Sequence, residues 1–123
     1  MTTIRIKRVY EAPADSDGFR LLVDRLWPRG LTREQARIDA WLKSVSPSNE
    51  LRRRFHHDPA QWDDFRASYF AELEAAPSAI AELADLLRKH RVVTFLYGAK
   101  DETFNNARAL VEFVGAKKGA GVS

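Results

Sequence analysis

Leu21-Leu22-Val23 runs straight into Asp24-Arg25-Leu26-Trp27-Pro28-Arg29-Gly30, and this stretch narrows the fold of the 123-residue chain more than any other. An unbroken apolar run is the pattern of a strand covered on both faces. Pro28 cannot donate to a strand ladder and pushes Trp27 towards an extended conformation, so the strand must end by Trp27. Gly30 allows a turn that other residues resist. Thr32-Arg33-Glu34-Gln35 then has capping-box spacing, with Thr32 as N-cap and Gln35 reaching back. The order is strand, charged loop, helix start.

A second run, Val92 to Tyr97, is apolar, β-branched and aromatic apart from Thr94, and reads as another buried strand. Gly98-Ala99-Lys100-Asp101 turns out of it. A last helix follows from about Thr103, with Ala107, Leu110, Val111 and Val114 on one face and Gly115 as its stop. Near the amino terminus Ile4 to Tyr10 alternates as a strand. Arg8 falls in phase with Ile4 and Ile6, so it either finds a partner or cleft on the apolar face or emerges into solvent at the strand end. The loop Glu11 to Gly18 is short for a helical crossover and leaves open whether the first two strands pair directly.

Between the two apolar runs the period is helical. Ile38, Trp41, Leu42 and Val45 follow i, i+3, i+4, i+7 and predict one core-facing stripe on a helix opened by Thr32. Ser46-Pro47-Ser48 ends it and caps a short helix with Leu51 and Phe55 inward and Arg52, Arg53 and Arg54 outward. Asp58-Pro59-Ala60-Gln61 is a helix start, with Asp58 as N-cap and proline at the first helical position. Trp62, Phe65, Tyr69 and Leu73 then mark one helix. Pro77 separates it from another carrying Ile80, Leu83, Leu86 and Leu87. The expected fold is α/β: a single small domain over residues 1–115, with a mostly parallel central sheet of about three strands packed with helices, and a flexible C-terminal tail over 116–123.

Composition excludes several chemistries. The chain has no cysteine, hence no disulfide, thiolate metal site or thiol nucleophile. No apolar run approaches the length that spans a bilayer, and the start lacks the apolar block of a signal peptide, so a cytoplasmic protein with no membrane partner is expected. Net charge is +3, distributed unevenly: residues 1–58 hold 12 Lys/Arg against 8 Asp/Glu (+4), and residues 59–123 hold 8 against 9 (−1). The basic bias falls in the half that carries the opening stretch, which suits an anionic partner.

If the two buried strands are parallel neighbours, their carboxyl ends lie side by side, where α/β proteins bind ligands. Arg8, Tyr10, Arg25, Trp27, Arg29, Tyr97 and Lys100 are then the ligand-binding candidates for a phosphate- or nucleotide-like anion, with Trp27 or Tyr97 able to stack on a flat ring. Asp24 and Asp101 are the carboxylates available as general base or acid, but nothing specifies a reaction. Taken singly, each has a plainer role: Asp24 pairing with Arg25 or Arg29, Trp27 filling the core, Asp101 capping the last helix. His56-His57-Asp58 contains ligand types, yet adjacent histidines point apart and Asp58 is committed as a cap, so neither a metal nor a cofactor is expected. Arg52 to Arg54 offers an alternative function, a non-catalytic nucleic-acid- or protein-binding face. The oligomeric state is not encoded in any of these patterns.

At these residues the chain resembles the YeaO-like branch of the domain of unknown function 488 family. The resemblance is carried by Arg8-Val9-Tyr10, Leu22 to Gly30, Trp41-Leu42-Lys43, Pro47-Ser48 with Glu50-Leu51-Arg52, His57-Asp58-Pro59, and Leu96-Tyr97 with Ala99-Lys100-Asp101. It implies a small cytoplasmic α/β domain with no settled activity. It also implies a histidine in many relatives at the position of Phe104 and another in some at Asn106, and in more distant, larger relatives a cysteine and a Cys-His-Arg element after the last strand. This chain has none of these.

Overall fold

Both apolar runs become inner strands of one parallel sheet. The computed structural model describes residues 2–55 and 58–122. Its strands are β1 (Thr3–Arg8), β2 (Phe19–Leu22), β3 (Ala40–Trp41) and β4 (Val92–Tyr97), in the spatial order β1-β4-β2-β3. Every pair is parallel, and Phe95 lies opposite Ile6 on one side and Leu21 on the other. The question left by the Glu11 to Gly18 loop is thereby answered: β1 does not pair with β2, because β4 lies between them. The two-residue β3 adds a fourth strand at the edge.

Alternation along the strands divides the interior in two. Leu21, Val23, Val93, Phe95 and Tyr97 join the larger cluster, completed by α2 (Asn49–Phe55), α3 (Trp62–Glu74), α4 (Pro77–Lys89) and α5 (Asn106–Val122). Leu22 and Leu96 belong to a smaller cluster with Val9, Ala36 and Ile38, covered by Trp27, Leu31 and Trp41. One face of the sheet therefore meets helices. The other meets largely irregular chain, residues 23–39, whose only α-helix is α1 (Arg33–Ala36). Val23 and Phe95 are both fully buried, as their unbroken apolar runs require. Among the described residues no helix is long and apolar enough to cross a membrane.

Local signals at helix starts hold in detail. The Thr32 hydroxyl accepts from Gln35 N–H while the Gln35 side chain accepts from Thr32 N–H. Asp58 accepts from Ala60 N–H ahead of α3. The Ser48 hydroxyl accepts from Leu51 N–H and donates to Glu72 of α3.

The helix expected from Thr32 through Val45 is not formed. α1 stops at Ala36, Arg37 takes the left-handed conformation (φ 48°), and the chain then extends into β3 and a 3-10 turn at Lys43–Val45. The spacing of Ile38, Trp41, Leu42 and Val45 is met another way. Ile38 and Trp41 serve the smaller cluster, Leu42 and Val45 the larger. As strand and post-strand neighbours, Trp41 and Leu42 point to opposite faces, which a helical stripe cannot do. Two other boundaries move. β2 ends at Leu22, although Val23 still donates to Leu96 O, and α5 continues past Gly115 to Val122. The tail expected over 116–123 lies on residues whose side chains are outside those described.

The irregular face needs internal support, and β2 provides it through Arg20, only 3% exposed. Its guanidinium donates to Ala36 O and Arg37 O, closing the C-terminus of α1 at its left-handed residue, and forms an ion pair with Asp17. Lys7 also bonds Asp17, and the Asp17 carbonyl accepts from Thr94 Oγ1. Burial alone raises the Asp17 pKa. The Ala14 N–H, Lys7 and Arg20 outweigh it and hold the carboxyl below its ordinary 3.8. A depressed carboxyl stabilises the fold above pH 3.8, and that contribution disappears as pH falls through the folded value.

Urea unfolding should therefore show Asp17→Asn less stable than wild type at pH 7, with the gap narrowing as pH drops below 3.8. A gap constant with pH would mean that the carboxylate charge contributes nothing. Arg20→Ala removes the buried partner of the Asp17 carboxylate, leaving it Lys7 and the Ala14 N–H, and strands the α1 carbonyls; it should cost roughly 3 kcal/mol.

Candidate functional site

A cleft of about 440 Å³ opens at the carboxyl ends of β1, β2 and β4. Three loops and three helices shape it. Tyr10 comes from the loop after β1, Asp24 through Arg29 from the loop after β2, and Gly98 and Ala99 from the turn after β4. Asn106 enters at the start of α5, and Pro47, Arg52, Phe55 and Phe65 close the side formed by α2 and α3. A parallel sheet makes this geometry natural, since every strand releases its chain at the same edge.

Irregular backbone here is held by side-chain donors. Arg25 Nε donates to Pro47 O at 2.8 Å and its Nη2 to Ser46 O at 3.4 Å. Trp27 Nε1 donates to Leu31 O, Trp41 Nε1 to Asp24 O, and Asn106 Nδ2 to Val23 O. The Tyr10 hydroxyl donates to Arg29 O at 3.0 Å. On the β4 side Asp24 Oδ2 accepts from Gly98 N–H at 2.8 Å. Gly98 suits that contact: a Cβ there would lie 3.2 Å from Asp24 Oδ2, tighter than most such contacts. Arg8 anchors the same turn, donating from Nε to Ala99 O and from Nη2 to Gly98 O while its guanidinium lies 5.2 Å from the centre of the Tyr10 ring.

Of the ligand-binding candidates, Tyr10, Arg25, Trp27 and Arg29 line the cleft, and so does Asp24. Arg8 stands behind it as the strap on residues 98 and 99, which settles its two readings: it has partners, and they are backbone carbonyls. Tyr97 points into the larger core, only 3% exposed, and burial first, then the Glu102 and Glu11 charges, pushes its phenol pKa up. Lys100 is exposed and does not line the cleft. Asp101 does not line it either. Its Oδ1 accepts the amides of Thr103 and Phe104, while Asn105 caps α5 by accepting from Arg108 N–H. Below the cleft, Tyr69 is fully buried and donates to Val45 O; burial, with the Asp24 and Glu72 charges adding, raises its pKa.

The three consecutive arginines separate. Arg52 lines the cleft and bonds Asn49, Arg53 is exposed, and Arg54 donates to Ser68. Among the described residues no three His, Asp or Glu side chains are grouped for a metal. His56 and His57 lie outside the described residues. Sequence reasoning missed Leu26, Pro47, Phe55, Phe65 and Asn106 as cleft residues and had assigned Arg52 to a different surface. Only Asn106 carried a signal, a polar side chain at the start of the helix that follows the second apolar run.

Because Ser46 and Pro47 are buried, removing the Arg25 fork leaves their carbonyls without it. Arg25→Ala should lower stability by about 1–3 kcal/mol in chemical denaturation. An unchanged midpoint would free Arg25 from this structural duty.

The family described as the inactive DUF488-N3 subclade matches residues 3–119. The uncharacterized protein YeaO of Escherichia coli (strain K12) is 42% identical over 111 residues, covering 90% of this chain and 96% of that protein. The uncharacterized protein Rv3073c of Mycobacterium tuberculosis is 37% identical over 116 residues, covering 94% of this chain and 97% of its own. No solved structure matches. With a family match over nearly its whole length and two such relatives, the chain belongs to the DUF488 family, in the subclade described as inactive.

Proposed function

We propose that the protein is a binding domain rather than a catalyst, and that its cleft takes a small anionic molecule. The observation that supports this reading is the composition of the lining: three arginines, Arg25, Arg29 and Arg52, against one acidic residue, Asp24. Two of those arginines come from the loop after β2 and one from α2. Guanidinium groups suit phosphate or carboxylate oxygens.

The way the candidate acids and bases are used supports binding over catalysis. Asp24 Oδ2 is bonded to Gly98 N–H and Asp101 Oδ1 to two amides, so each has a positioning duty. Among the described residues the lining contains no histidine, serine or threonine. At the two positions where the resemblance implies histidines, Phe104 packs against Trp62 (5.4 Å between centroids) and Asn106 holds Val23 O. The description of the subclade as inactive agrees with this reading. The nucleic-acid alternative loses support from the division of Arg52, Arg53 and Arg54 among three surroundings.

Inorganic phosphate titrated into isotope-labelled protein should shift the amides of residues 24–29 and 98–99 before any others. Arg29→Ala and Arg52→Ala should each weaken that binding by about tenfold or more, the scale of a charged hydrogen bond, with melting temperature nearly unchanged. Shifts centred elsewhere, or none at all, would refute the anion site.

A further inference from the structure

We infer that the ligand is an organic anion, a charged head on an apolar body of about ring size, with the body seated on Leu26 and Tyr10. This rests on the anion reading above and goes beyond it. Among the described residues the large hydrophobic side chains that stand exposed are Tyr10 (42%) and Leu26 (57%), and both line this one cleft. Isolated exposed leucines are ordinary on protein surfaces. A leucine and a tyrosine exposed in the same arginine-lined cleft form an amphipathic pair of subsites.

The exposure is built in. Leu26 lies between Arg25, fastened to the carbonyls of Ser46 and Pro47, and Trp27, fastened to Leu31 O, so both its neighbours are tied down while the leucine itself stands exposed. Tyr10 is likewise fixed, with its hydroxyl on Arg29 O and the Arg8 guanidinium beside its ring. Apolar surface kept in water at fixed positions next to a charged site is ready for a ligand that covers it, and covering it costs little ordering.

The test compares phenyl phosphate, methyl phosphate and benzoate on the intact chain by calorimetry. Phenyl phosphate should bind about tenfold tighter than methyl phosphate, what covering roughly 60 Å² of apolar surface gives. In Leu26→Ser, a change at an exposed position, that preference should fall towards parity while methyl phosphate affinity is kept; Tyr10→Ser is the second variant. Benzoate binding tighter than phenyl phosphate would also support the inference and identify the head as a carboxylate. Equal binding of the two phosphates, or a preference untouched by both variants, overturns the inference and leaves the anion site standing. Failure of all three ligands and of inorganic phosphate to bind overturns both.

Discussion

Side-chain donors that satisfy the carbonyls of irregular backbone are what the rest of this structure depends on. One face of the sheet is covered by four helices, which satisfy most of their own polar groups. The other face and the carboxyl edge are covered by chain without regular bonding, where every buried carbonyl needs a partner from elsewhere. Arg20 serves residues 36 and 37, Arg25 serves 46 and 47, and Arg8 serves 98 and 99. Trp27, Trp41 and Asn106 serve 31, 24 and 23. Arginine suits this work because its fork reaches two carbonyls at once and stays charged when buried. Among the described residues no buried side-chain nitrogen or oxygen lacks a partner.

The same bonds make the cleft. A loop of arginines, tryptophans and a proline would otherwise sample many shapes, at an entropic cost to any ligand that selects one. Here the loop after β2 is fastened to α1's approach, to the turn before α2 and to the start of α5, and the turn after β4 is fastened to β1 and to Asp24. Structure and site are therefore not alternatives for these residues. Arg25 holds the wall with Nε and Nη2 while lining the cleft.

Much of this was legible in the chain. Continuous apolar runs located β2 and β4, and Thr32, Ser48 and Asp58 located helix starts, because both signals are local. The gathering of Tyr10, Asp24, Arg25, Trp27 and Arg29 followed from parallel strands releasing their loops at one edge. What was not legible depends on partners distant in sequence. Residues 37–45 satisfy a helical period and yet form a turn, a strand and a 3-10 turn, because Arg20 closes α1 at Ala36 and β2 offers β3 a ladder. A buried arginine in a strand reads as an exposed one until Asp17, Lys7 and the α1 carbonyls are beside it. Lys100 and Asp101 adjoin the right strand, but the turn there points Asp101 at its own chain and leaves Lys100 in solvent.

The central claim is that the cleft is formed before any ligand arrives, held by side chains rather than by secondary structure. Nitrogen-15 relaxation of the ligand-free protein tests it directly, reading the backbone of residues 24–31 and 98–101 with the Trp27 and Trp41 indoles. The bonds described here predict order parameters close to those of the helices, about 0.85. Values below about 0.6 through the loop after β2, on the same timescale, would contradict it.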